Sequence, residues 1–132
     1  MDKNKELGIL ILRFSLGLMM LLHGIAKITG GIDPIQGMLT SKGLPPFIAY
    51  GVYIGEVIAP LLLVLGVRTR LAALAFVFNC VAIIWLGGHS IVSLTQYGGW
   101  AAELPGLFLF GALALFFTGG GKYAVSSTDK WD

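Results

Sequence analysis

Charge is scarce in this sequence. Asp, Glu, Lys and Arg make up 12% of its 132 residues, about half the share of a soluble domain. Cysteine is scarcer still. Cys80 stands alone, which excludes a disulfide within the chain and thiol–disulfide exchange by a CxxC pair. The Lys and Arg residues are scattered, so no basic cluster points to nucleic acid. No Walker, dinucleotide-binding or haem-attachment motif is present. The paired Glu-x-x-His spacings of diiron bundles are missing as well, and no metal site is expected.

What the sequence has instead is apolar mass: 56% of its residues are hydrophobic. That is too much for a soluble core of this size. The composition predicts an all-α integral membrane protein with a single domain over 1–132. Residues 7–28 form the first expected span, long enough to cross a hydrocarbon core. This run is too long for the h-region of a signal peptide and ends without an A-x-A site, so it is expected to be retained. Further spans are expected at about 47–67, 71–87 and 100–118, giving a four-transmembrane-helix bundle. Asp33-Pro34 starts a short amphipathic helix in the first loop, with Asp33 as N-cap and Pro34 at N1. This helix is expected to lie at the interface, in the first outer loop.

Basic residues set the orientation. Lys3, Lys5, Arg68, Arg70, Lys122 and Lys130 fall on one side of a four-span chain. Both termini and the Arg68–Arg70 turn are therefore expected in the cytoplasm. The loops 29–46 and 89–99 face outward. Residues 122–132 read as a polar tail.

Ionisable groups inside an apolar span are costly and mark a protein interior or a wet cavity. At 100° per residue, Arg13, Gly17, Met20, Gly24 and Lys27 share one stripe of the first span, with His23 beside it. Arg13 is placed to snorkel toward the cytoplasmic side. Gly51 and Gly55 have the GxxxG spacing of close helix approach, and Pro60 is expected to kink the second span. Glu56 lies about 13 Å deep at 1.5 Å per residue. Ala72, Ala75, Asn79 and Ala82 share the expected bundle-facing side of the third span. Glu103, Leu107, Phe110 and Ala114 share a face of the fourth. By depth, His23, Lys27, Glu56, His89 and Glu103 all fall in the outer half or at the midplane. They come from different spans, and a four-helix bundle is expected to bring several of them together into one outward-opening polar pocket. Each has a plainer role open to it. Lys27 can snorkel, His23 can bond a neighbouring backbone, and Glu56 can pair only to hold helices in register. His89 and Glu103 can be ordinary surface groups, Asn79 helix–helix glue, and Cys80 a small core residue.

Leu12-Arg13, Leu16-Gly17 and His23-Gly24-x-x-Lys27 together resemble the opening helix of the DoxX family. Glu56, followed by Leu65-Gly66-x-Arg68-x-Arg70, is similar to that family's second helix and basic turn. The resemblance runs through nearly the whole chain. It implies a small four-span protein of the bacterial inner membrane, with Arg13, His23, Lys27 and Glu56 as family-type polar positions. Some relatives are associated with quinone reduction, others with membrane complexes that handle thiol and oxidative stress. The lone cysteine sets this chain apart from the thiol-active relatives.

Three readings of function follow. In the first, the chain is the membrane subunit of a quinone-linked oxidoreductase. There His23, Lys27 and Glu56 serve as catalytic residues. Arg13, His23, Lys27, Glu56, Asn79, His89 and Glu103 are the candidate binding residues. The only cofactor implied is a quinone. The partners implied are the lipid bilayer, a soluble or membrane redox protein, and a second copy of the chain. In the second reading the chain is a non-catalytic anchor or assembly module. In the third it is a small transporter or lipid-binding protein. Glu56 separates the first two: a structural Glu56 protects stability, whereas a functional one holds ligand.

Overall fold

The computed structural model describes residues 3–132, with side chains from residue 4 onward. Residues 1 and 2, and the Lys3 side chain counted in the charge asymmetry, lie outside the described residues. Among the described residues there are five α-helices: α1 (Lys3–Gly30), α2 (Asp33–Ser41), α3 (Ala59–Leu65), α4 (Thr69–Leu86) and α5 (Glu103–Thr118). A 3₁₀ segment (Pro46–Gly51) and a π turn (Ile54–Ile58) lead into α3. No strand forms among the described residues, and one isolated bridge pairs Leu94 with Trp100. Among the described residues, three helical runs are long and apolar enough to cross a bilayer: Asn4–Gly30, Pro46–Leu65 and Thr69–Leu86. Helix α5 is as apolar but has only 16 residues.

The stripe on α1 is the face that packs. Arg13, Gly17, Met20 and Gly24 are buried and Lys27 is half-buried, while Ile11, Phe14, Leu18, Leu22 and Ile25 stay exposed. Helix α1 packs on α3 and α5, and α4 packs on the same two. Leu16, Met20, Leu63, Phe76, Cys80, Phe108 and Leu115 meet in the core between them. Cys80 is a fully buried core residue, the plain role its surroundings suggest.

Gly31, at φ +85°, ends α1. Asp33 is already helical in α2, not its cap; Ile32 takes that position without a side-chain hydrogen bond. Burial decides this. Ile32 joins Leu39 and Ala49 in a second, smaller core, and Asp33 still places its charge in the first turn, where the helix dipole favours it. Helix α5 starts at Glu103, later than the 100 expected for the last apolar span. Trp100 instead closes the preceding loop, donating its indole N–H to the Ile91 carbonyl at 3.1 Å and lying against Gly106.

The second apolar run is not a uniform kinked helix. Proline has no N–H and its ring crowds the carbonyl four residues back. Pro60 therefore denies Glu56 its ladder donor. The chain widens to a π turn just before it, with the Ala59 N–H reaching the Ile54 carbonyl. The expected bend is thus spread over the turn that carries Glu56.

Residues 122–132 fold back against the α3–α4 turn. Val125 and Ser126 donate to the Leu65 and Gly66 carbonyls at 3.1 and 3.0 Å. Arg70 and Leu71, in the first turn of α4, donate to Trp131. The Asp132 carboxylate receives the Ser126 hydroxyl (2.6 Å), the Asp129 amide (2.8 Å) and the Arg68 amide (2.9 Å). Arg68 is the one described non-glycine residue at positive φ, +49°, and this carboxylate holds it there. The Ser126 hydroxyl and the Asp129 amide, with help from Arg68, bring the Asp132 carboxyl from its ordinary 3.8 down to about 2. A carboxyl depressed in the folded state contributes stability above its ordinary pKa and loses it as pH falls toward the folded value. Tail docking is therefore expected to weaken between about pH 4 and about pH 2. Amide exchange at Val125 and Ser126, corrected for intrinsic rates, reads this directly. Asp132→Asn is expected to show the faster exchange already at neutral pH.

Candidate functional site

The Glu56 side chain is almost completely buried, and both of its oxygens are engaged. Lys27 Nζ lies 2.9 Å from Oε1, and Asn79 Nδ2 donates to Oε2 at 3.2 Å. A carboxylate at this depth needs such partners, because an unpaired buried charge is very costly.

Two glycines bring the partners close. A Cβ on Gly24 would collide with the backbone carbonyl of Glu56, so only glycine lets α1 approach the π turn there. A Cβ on Gly55 would stand 2.5 Å from Asn79 Cβ and Cγ, so the other side of the turn is pressed against α4. The Glu56 turn is thus clasped between α1 and α4. The GxxxG pair does not act as a unit. Gly55 makes the close approach, whereas nothing stands within 4 Å of a Cβ built on Gly51.

Around this clasp lies a cavity of about 670 Å³. Its polar lining is His23, Lys27, Glu56, Asn79 and His89. Most of the remaining wall is apolar, and α2 closes part of it with Ile35, Met38 and Leu39. Lys42, just after α2, sits 4.9 Å over the Trp85 ring and helps fix α2 to α4. His23 is exposed toward the cavity and meets Phe108 edge-on, with ring centroids 6.3 Å apart. The His89 ring lies against Gly87.

Two of the seven candidate binding residues stand elsewhere. Arg13 is not snorkelling. It is 1% exposed and donates to the carbonyls of Leu63 and Val64, both at 2.8 Å, and of Tyr123 at 3.4 Å. Glu103 is exposed on the outer face of α5, in line with Leu107, Phe110 and Ala114. Neither borders the cavity. The inward face of α5 is Pro105, Phe108, Ala112 and Leu115. Sequence reasoning missed Phe108 and the α2 side chains as cavity lining. The amphipathic period of α2 was visible, but not the surface it docks on.

The chemistry of this arrangement is specific. Lys27 and Glu56 cancel each other's charge, so the cavity as a whole favours a neutral guest. An ammonium carries three donors, and one of Lys27's goes to Glu56. The others, with the His23 ring, remain for an acceptor on the guest. A concave, mainly apolar cavity with a few convergent polar groups is the usual form of a small-molecule site.

The DoxX family model matches residues 8–89, a segment that carries Arg13, His23, Lys27, Glu56, Asn79 and His89. The chain belongs to the DoxX family. This DoxX protein is also 33% identical over 119 residues to a Bacillus subtilis (strain 168) protein named "Putative oxidoreductase CatD". The similarity covers 90% of this chain and 84% of that protein. No solved structure matches. The match and the three long apolar helical runs make it a membrane protein.

Proposed function

We propose that this DoxX protein is the membrane subunit of a quinone-linked oxidoreductase, with its site at the Lys27–Glu56–Asn79 clasp. The observation that carries the reading is the cavity itself: apolar walls, no net charge, and free donors on Lys27 and His23. A neutral headgroup with two carbonyl acceptors and a long apolar tail has the complementary chemistry. Lys27 and His23 would hold the carbonyl oxygens. Glu56 fixes Lys27 in place and offers a proton route, Asn79 holds Glu56, and His89 borders the mouth. When bound, a quinone accepts an electron pair and a proton at each carbonyl oxygen. The electrons come from a substrate or partner protein, which fits the oxidoreductase name of the Bacillus subtilis relative. Arg13 and Glu103 have no part in this site.

The same reading places the chain in the bacterial inner membrane as one domain with four spans, α5 being the fourth. Both termini and the Arg68 turn lie in the cytoplasm, α2 lies at the outer interface, and the cavity opens outward. The clustering of basic residues at the Arg68 end supports this orientation.

The test is extraction of the detergent-purified protein, with mass spectrometry of the small molecules that accompany it. Wild type is expected to carry a stoichiometric quinone. Glu56→Gln and His23→Ala are expected to lose it while keeping their helical circular dichroism. Only phospholipid, equal in all three, would instead favour a non-catalytic anchor. The complete pairing of both Glu56 oxygens within the chain is the one observation on that side.

A further inference from the structure

The molecule has a second cavity, of about 520 Å³, at the opposite end of α4 and α5. The first cavity is lined on α4 from Ala75 to Leu86 and at the start of α5, and the second takes Arg70 and the turn at Thr118. Along α4, Arg70 lies roughly 16 Å from the middle of the stretch 75–86 that lines the first cavity. Nothing in the quinone reading uses this second site.

Its lining holds three cations, Arg70, Lys122 and Lys130, and two acids, Asp129 and Asp132. The acids are committed elsewhere. Asp132 is bound by Ser126, Asp129 and Arg68. Asp129 receives the Trp131 amide and lies 3.7 Å from the Arg68 guanidinium. The three cations have no carboxylate within 4 Å among the described residues. Arg70 is also set in place. Its guanidinium lies over Gly119, where a Cβ would come within 3.1–3.2 Å of its nitrogens. Gly119 stands at φ +76°, so the turn both requires glycine and seats the arginine.

The surroundings are amphiphilic. Leu71 and Phe117, the chain neighbours of Arg70 and Thr118, are 45% and 70% exposed. Tyr123 and Trp131 are partly exposed beside Lys122 and Lys130, whose ammonium groups lie 6.0 and 5.8 Å from the respective rings. A seated arginine and two exposed lysines bordering a concavity, next to apolar surface and aromatic rings, match a phosphate that carries acyl chains. A bidentate arginine fork suits phosphate oxygens, and basic pockets at the ends of membrane helices bind anionic lipid headgroups.

We infer that the cavity bounded by Arg70, Lys122 and Lys130 is a binding site for the phosphate headgroup of an anionic phospholipid. The acyl chains would lie along Leu71 and Phe117. This site stands or falls independently of the quinone reading.

The test uses the full chain in nanodiscs with equal amounts of phosphatidylglycerol and phosphatidylcholine. Native mass spectrometry counts the lipids retained on release. Wild type is expected to retain phosphatidylglycerol preferentially. The variant Arg70→Gln/Lys122→Gln/Lys130→Gln is expected to lose that preference about tenfold. Lys5→Gln/Lys42→Gln, which removes cations elsewhere, is expected to keep it. Equal loss in both variants would reduce the effect to general surface charge and overturn the site. Displacement of the retained lipid by millimolar inorganic phosphate would overturn the lipid assignment in favour of a small-anion site. Should the triple variant fail to fold, Arg70→Gln alone is read the same way, and an unchanged preference there overturns the proposal.

Discussion

Arg13→Leu is expected to destabilise the protein by about 3 kcal/mol, since burying two orphaned carbonyls costs ~1–3 kcal/mol each. A helix leaves its last four carbonyls without intrahelical donors. In α3 every one of them is met from outside. Leu62 receives Gly66 and Val67, and Leu65 receives Val125. Leu63 and Val64 receive the Arg13 guanidinium from α1. One side chain thus satisfies half of a helix end, and its third bond, to Tyr123, ties in the tail. Leucine fills the volume and supplies no donor. Arg13→Lys has no planar fork to serve two carbonyls at once and is expected to fall between. Unfolding in detergent, followed by circular dichroism, measures the order wild type, lysine, leucine. A leucine variant within about 0.5 kcal/mol of wild type, the range of an ordinary surface change, would refute the clamp. Quinone content scaled to the folded fraction is expected to stay unchanged, because Arg13 does not touch the cavity.

Arg13 also shows what a sequence can and cannot reveal. Its depth and its stripe were legible, because a helix repeats every 3.6 residues and the apolar face of α1 is continuous. Its partners were not. They are backbone carbonyls 50, 51 and 110 residues away, and backbone groups leave no mark in a sequence. The Asp132 knot was hidden for the same reason, so residues 122–132 read as a plain polar tail. Glu103 shows a different gap. Depth placed it near the outer end, but α5 is apolar all round, so no periodicity tells which face turns inward. On α4 the small residues and Asn79 gave that direction, and Ala72, Ala75, Asn79 and Ala82 are all buried or half-buried. The approach of α1 to the second run was legible at Gly24 only as a small residue on the right stripe. That it faces the Glu56 carbonyl depends on the π turn. Pro60 announces a disturbance there without saying how the chain absorbs it.

Lys27→Met is expected to destabilise the protein by about 3 kcal/mol, since removing one partner of a buried pair leaves an uncompensated charge. Glu56 would keep only the Asn79 amide, in a site that is 2% exposed. Glu56→Gln in the Lys27→Met background removes the charge and keeps an acceptor for Asn79. It is expected to recover more than half of the loss, with a coupling of about 2 kcal/mol between the two positions. Unfolding of wild type, both single variants and the double variant closes the cycle. Lys27→Met at wild-type stability, with no coupling, would mean that Glu56 is protonated in the native protein. The clasp would then be a neutral hydrogen-bonded contact, and Lys27 a cation that the cavity must balance by taking an anionic guest. Strong coupling keeps the cavity neutral. That neutrality is the physical ground for a quinone over a charged substrate, so the stability cycle bears directly on function without any assay of turnover.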